Sequence, residues 1–207
     1  MGVKHYIIPE GNNHIAGHHL APVFSDRMRF RFMLEENCRY VPESEHDWNK
    51  LTGYSCNVLP VEAPAGKVAD YEFLNVPYCL GHHINSVRIG WRQALITGIT
   101  PPMNNTRCYE LALYLYEDHN RLILPIPGEA FEYGTWYYGE VKAIAGRLFC
   151  YFGKDATNQY ELRLQTTTTT HFDTIGYRLY PYFGGHNDKL GRDTPAPHRM
   201  DIHLEHL

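Results

Sequence analysis

Met28-Arg29-Phe30-Arg31-Phe32-Met33-Leu34 is the stretch on which the reading of the fold turns. Apolar and basic residues alternate along it, and in a pleated strand side chains two apart share a face. Met28, Phe30, Phe32 and Leu34 are therefore expected to point into a core, with Arg27, Arg29 and Arg31 pointing away. Alternation of this kind belongs to an antiparallel sheet with one buried face. The arginine row reads as a solvated face, or as a surface that meets an acidic partner.

The same period recurs on either side. In Glu110-Leu111-Ala112-Leu113-Tyr114-Leu115-Tyr116, the three leucines take one face and Ala112, Tyr114 and Tyr116 the other. Glu117-Asp118-His119-Asn120 is a turn into Arg121–Ile126, which predicts a hairpin. Thr135–Ile144 and Arg147–Phe152 form strands around Gly146, and Tyr160–Leu164 runs on into the threonines at 166–170 as an edge strand or its exit. Residues 3–8 and Arg199–Leu204 are the first and last strands in chain order, and Tyr177–Gly185 leaves its ladder at Pro181 or lies at an edge. In 42–77 the pattern blurs. That segment reads as long connections over one end of a sandwich, with one helical turn capped at Ser44. A further connection is expected over 93–107, with Thr100–Asn105 as a loop. Strands spaced about ten residues apart predict one all-β domain over 1–207. Its class is an antiparallel β-sandwich of jelly-roll (concanavalin/lectin-like) type, with long loops, 42–77 and 183–198, at one end.

Composition narrows the partners. The net charge of -4 gives no reason to expect nucleic acid. No apolar run approaches the ~18–20 residues that span a bilayer. Five cysteines without a C-x-x-C pair argue for reduced thiols. Met1-Gly2-Val3-Lys4-His5 does not open a signal peptide, so a soluble protein folded in a reducing cytoplasm is expected. Sixteen tyrosines suit half-buried strands as well as sugar- or protein-binding surfaces.

The chain has thirteen histidines, yet their spacing supports no metal and no cofactor. Gly17 and Pro22 interrupt the segment holding His14, His18 and His19. His82 and His83 are adjacent, so they would point to opposite faces of a strand. His203 and His206 are separated by an odd offset. Whether Glu43, Glu45, Asp47 or Asp188 holds a structural Ca²⁺ stays open. No G-x-S-x-G or paired catalytic carboxylates are evident.

The richest stretch is Gly81–Arg92. Its period places Ser86, Arg88 and Arg92 on one face and Val87, Ile89 and Trp91 on the other. The candidate binding surface comprises His82, His83, Asn85, Arg88, Arg92, Tyr114, Tyr116, Tyr180, Tyr182 and His198. A structural alternative pairs Arg88 and Arg92 with Glu110 or Asp201.

Three ordered motifs span most of the chain: Asn49-Lys50-Leu51-x-Gly53, His82-His83-Ile84-Asn85-Ser86-x-Arg88-x-Gly90-Trp91-Arg92, and Tyr180-Pro181-Tyr182-Phe183-Gly184-Gly185 followed by Ala196-Pro197-His198. In these the chain resembles a group of poorly characterised all-β proteins of gut bacteria and their phages. The resemblance implies a jelly-roll or lectin-like sandwich with no agreed catalytic residues. The leading expectation is a non-catalytic structural or binding protein, a virion or surface component contacting glycans or partner protein subunits. The alternatives are a polysaccharide lyase that cleaves acidic glycans by β-elimination, and a carbohydrate-binding module stacking sugars on Trp91 or Tyr182.

Overall fold

The computed structural model describes residues 2–13, 22–23, 26–42, 48–55, 85–96, 103–154, 160–169, 176–184, 186–187 and 192–207. The strands are β1 (Lys4–Ile8), β2 (Pro22–Val23), β3 (Arg27–Leu34), β4 (Asn49–Ser55), β5 (Ser86–Ile96), β6 (Met103–Glu117), β7 (Asn120–Pro125) and β8 (Phe131–Glu132). They continue as β9 (Tyr137–Ile144), β10 (Arg147–Lys154), β11 (Glu161–Thr167), β12 (Gly176–Leu179), β13 (His186–Asn187), β14 (Arg192–Asp193) and β15 (Met200–His206). A single 3-10 turn, Glu36–Cys38, is the one helical element among the described residues.

One six-stranded sheet runs β1-β15-β3-β9-β10-β11. A seven-stranded sheet runs β2-β12-β4-β5-β6-β7, with β8 also on β6, and β13 and β14 form a small ribbon. All pairings are antiparallel. The two sheets pack face to face. Met28, Phe30, Phe32 and Leu34 of β3 meet Val87, Ile89 and Trp91 of β5 and Leu111, Leu113 and Leu115 of β6 in one core. Fully burying a side chain of this size contributes roughly 1.5–3 kcal/mol, so the alternation on these strands is sufficient to fix which face turns inward. Gly139 completes the fit. A Cβ there would stand 2.5 Å from Phe30 and 2.9 Å from Phe152, so glycine lets those rings cross β9.

Two hairpins close on two-residue turns in which both central residues take positive φ: Asp118-His119 (46° and 68°) and Ala145-Gly146 (47° and 71°). Such turns match the right-handed twist of the strands they join.

Three sequence expectations are corrected. Segment 42–77 is not all connection, because Asn49–Ser55 forms β4, an interior strand between β12 and β5. Every residue of β4 is buried, so neither face carries the polar alternation that would reveal a strand. The 93–107 connection is likewise largely strand, since β5 extends to Ile96 and β6 begins at Met103. The stretch read as a loop at 100–105 therefore ends inside β6. The turn expected at Ser44 and the histidines 14, 18 and 19 lie outside the described residues. So do His82, His83, Glu43, Glu45, Asp47 and Asp188.

Candidate functional site

The outer face of the seven-stranded sheet is built by register. Directly opposed residues in an antiparallel ladder share a face. Arg88 stands between Gly53 and Tyr114, and Gly90 between Lys50 and Ala112. Arg92 is opposite Glu110, and Ser86 opposite Tyr116. This is the face away from the core.

Glycine at 53 is required for Arg88 to lie there. A Cβ at that position would stand 2.4 Å from the Val87 carbonyl and 2.8 Å from Arg88 Cγ. The stem of Arg88 crosses the bare backbone and Arg88 is 7% exposed, much more buried than a lined groove would leave it. Trp48, Ala112 and Tyr114 form a second buried cluster on this face, with Tyr116 and Ile123 packed against it.

Arg92 is held from two sides. Its guanidinium carbon lies 4.3 Å from the Trp48 ring centroid, and Nε and Nη2 donate to Glu110 Oε2 at 3.3 and 3.1 Å. Lys50 sits between two tyrosines, with Nζ 5.1 Å from the Tyr114 ring centroid and 5.2 Å from that of Tyr182. A cation over an aromatic face recovers part of the hydration lost on burial. Lys50 Nζ also donates to the Gly184 carbonyl at 2.8 Å. The backbones of Lys50 and Tyr182 exchange bonds of 2.8 and 2.9 Å, and Gly184 N–H donates to Asn49 Oδ1 at 2.7 Å. Asn49 and Lys50 thus pin the 182–184 segment across the end of β4.

Tyr114 is 2% exposed, and burial pushes its hydroxyl up to about 12, with Tyr116 adding to the rise and Arg121 opposing it. At neutral pH this phenol is a hydrogen-bond donor and a poor base.

Of the expected surface residues, the structure brings together Arg88, Arg92, Tyr114, Tyr116 and Tyr182. Asn85 stands at the mouth of β5, where Oδ1 accepts from Asp118 N–H at 3.0 Å and organises the hairpin turn. Tyr180 packs toward the interior, its ring centroid 6.0 Å from that of Tyr6, while Tyr182 bridges Lys50, beyond the register shift of β4 between Lys50 and Thr52. His198 lies beside the other sheet, Nε2 2.9 Å from the Asn37 carbonyl. Arg92 does pair with Glu110, whereas Asp201 belongs to the six-stranded sheet. Trp91 is fully buried in the core, which removes it as a sugar-stacking ring. Sequence reasoning passed over Lys50 and Trp48. The motif Asn49-Lys50-Leu51-x-Gly53 marked the stretch, but reading it as a connection hid the face on which Lys50 lies.

A second polar cluster occupies the outer face of the six-stranded sheet. His5 and His203 stack at 4.5 Å between centroids and 6° between planes. His5 Nε2 lies 2.6 Å from Asp201 Oδ1, and His203 Nε2 lies 2.9 Å from Glu35 Oε1. Hydrogen bonds from Arg199, with help from Asn37 and His5, hold the Asp201 carboxyl down to about 2, while burial opposes them. Among the described residues, no three His, Cys, Asp or Glu side chains converge as a metal-holding group. No helix among them is long and apolar enough to cross a membrane.

No protein-family model and no curated protein matches the chain. Solved structures do. The alginate lyase Aly36B, in a variant lacking one lysine and one tyrosine and bound to alginate tetrasaccharide, superposes with a TM-score of 0.50 at 11% identity. That match covers 98% of this chain and 78% of the lyase. The exoplasmic/lumenal domain of VIP36, in a Ca²⁺- and mannose-bound form, matches with a TM-score of 0.41 at 10% identity, over 100% of this chain and 82% of that domain. Tailspike protein 2 of Escherichia coli O157:H7 bacteriophage CAB120 matches at 0.35 and 10% identity, over 97% of this chain and 24% of the tailspike. The chain is an antiparallel β-sandwich of the jelly-roll class, a fold it shares with the alginate lyase.

Proposed function

We propose that this protein binds acidic polysaccharide, without cleaving it, on the outer face of its seven-stranded sheet. The observation that carries this reading is the gathering of the half-buried Arg92, Tyr116 and Tyr182 on that one face, above the packed Lys50, Arg88 and Tyr114, in a chain whose net charge is -4. Cations supply attraction for carboxylates, and aromatic rings supply flat apolar area with a polar tip. The setting we propose is a virion or surface component. That extension is supported by the resemblance to proteins of gut bacteria and their phages.

The test is a binding panel of alginate, polygalacturonate and mannan at low and high salt. The acidic polymers should bind, more weakly as salt rises, and Tyr116→Ala should reduce binding without a matching loss of thermal stability. Equal binding of all three polymers, or of none, would sink the proposal.

A second reading is β-elimination on the same face, since that reaction needs a cation for the uronate carboxylate and a tyrosine to move the C5 proton. Fold likeness to the alginate lyase supports it. The buried, raised hydroxyl of Tyr114 weighs against that residue as the base and leaves the half-buried Tyr116 to serve. Ultraviolet absorbance from unsaturated products, lost in Tyr116→Phe, would establish cleavage.

A further inference from the structure

We infer that the Arg92–Glu110 pair reads a vicinal pair of sugar hydroxyls, and so fixes the register of a glycan along the sheet; this rests on the glycan-binding reading above. An arginine awaiting a ligand carboxylate should present its fork toward the ligand. Arg92 instead directs Nε and Nη2 to a single oxygen of Glu110 and lays its planar face on Trp48. A carboxylate arriving there must compete with one already in place on the same protein, at no entropic cost to the resident. A diol brings no charge to set against the resident carboxylate. One hydroxyl accepts from the guanidinium while its neighbour donates to the Glu110 carboxylate, which uses both partners together.

Accessibility and charge agree with this assignment. The side chains of Arg92 and Glu110 are 15% and 28% exposed, so both reach solvent at the rim while Trp48 lies buried behind them. The pair is close to neutral as a unit, whereas Lys50 and Arg88 lie further along the same face. Arg88 and Arg92 are four residues apart on β5, about 13 Å at the usual strand rise. One end of the face therefore carries the hydroxyl-reading pair at the rim, while the cations further along it are packed beneath the surface.

The test uses the tightest-binding polymer of the panel, intact and after periodate oxidation with borohydride reduction. That treatment destroys vicinal diols and keeps the carboxylates. Glu110→Gln should weaken binding of the intact polymer roughly tenfold and change binding of the oxidised polymer less than about twofold. Arg92→Lys, which keeps the charge and loses the fork, should show the same selective loss. Tighter binding by Glu110→Gln, or equal losses on both polymers in both variants, overturns the inference and leaves the binding face standing. A wild-type protein that binds no polymer overturns the parent reading and this one with it.

Discussion

Arginines stand on the outer faces of both sheets, under opposite conditions. On β3, Arg27 and Arg29 reach Glu140 of β9, and Arg31 reaches Glu205 of β15, with side chains about one-third to one-half exposed. These are surface ion pairs, of a kind typically worth under about 1 kcal/mol, and they supply the acidic groups for the arginine row from within the chain. On β5, Arg88 lies across Gly53 and is buried, and on β4 every residue is buried on either face. One sheet wears its charges as a coat; the other packs them. A polar face that is also packed has to be satisfied group by group, which is why the candidate site falls there.

Acid should expose the seam between the sheets with the largest effect. His206 of β15 points inward, Nε2 3.5 Å from Thr52 Oγ1 of β4, and burial pushes its imidazole down to about 3, with Arg178 and Lys4 acting in the same direction. Since the unfolded chain takes up this proton first, stability is complete above about pH 6.5 and falls as the pH drops toward 3, by up to about 4 kcal/mol. Denaturant titrations of wild type and His206→Gln between pH 7 and pH 4 read this directly; an unchanged slope in the variant would remove His206 as the cause.

The packed face should resist even a methyl group. Gly53→Ala should cost about 3 kcal/mol, because β4 must part from β5 before a Cβ can fit. A variant as stable as wild type would mean that Arg88 is less fixed than described.

In the core, Tyr109 is fully buried and its hydroxyl has no hydrogen-bond partner among the described residues. Tyr109→Phe should be neutral or stabilising by up to about 1 kcal/mol, measured by thermal melting; a clear loss would reveal a hidden partner. Smallest of all, Arg29→Ala on the coated face should move stability by less than about 0.5 kcal/mol. A larger change would erase the contrast between the two sheets.

That contrast also explains what the sequence disclosed. Period two is visible only when one face is wet. Phe30 and Phe32 alternate with arginines and announce β3, whereas Lys50, Leu51 and Thr52 are all buried, so β4 reads as a connection. Arg88, Arg92, Tyr114 and Tyr116 were legible because they share strands with an apolar inner row. Tyr180 and Tyr182 looked equivalent by spacing, and the register shift of β4 between Lys50 and Thr52, invisible in linear order, separates them. Glu110 was named from the sequence as a partner for the arginines, and it pairs with Arg92; Trp48 joined the site through cross-strand neighbours, information that linear order does not contain.

The pairing of β1 with β15 has a mechanical consequence. Lys4 stands opposite Leu204, and the ladder runs antiparallel from there to Ile8 opposite Met200. A force that draws residue 4 away from residue 204 therefore loads the interstrand bonds one after another, as in peeling tape, rather than all at once in shear. Held by these two strands, the sandwich yields from its β1 edge at low tension, and the seven-stranded face that carries the candidate site is spared until that edge has gone.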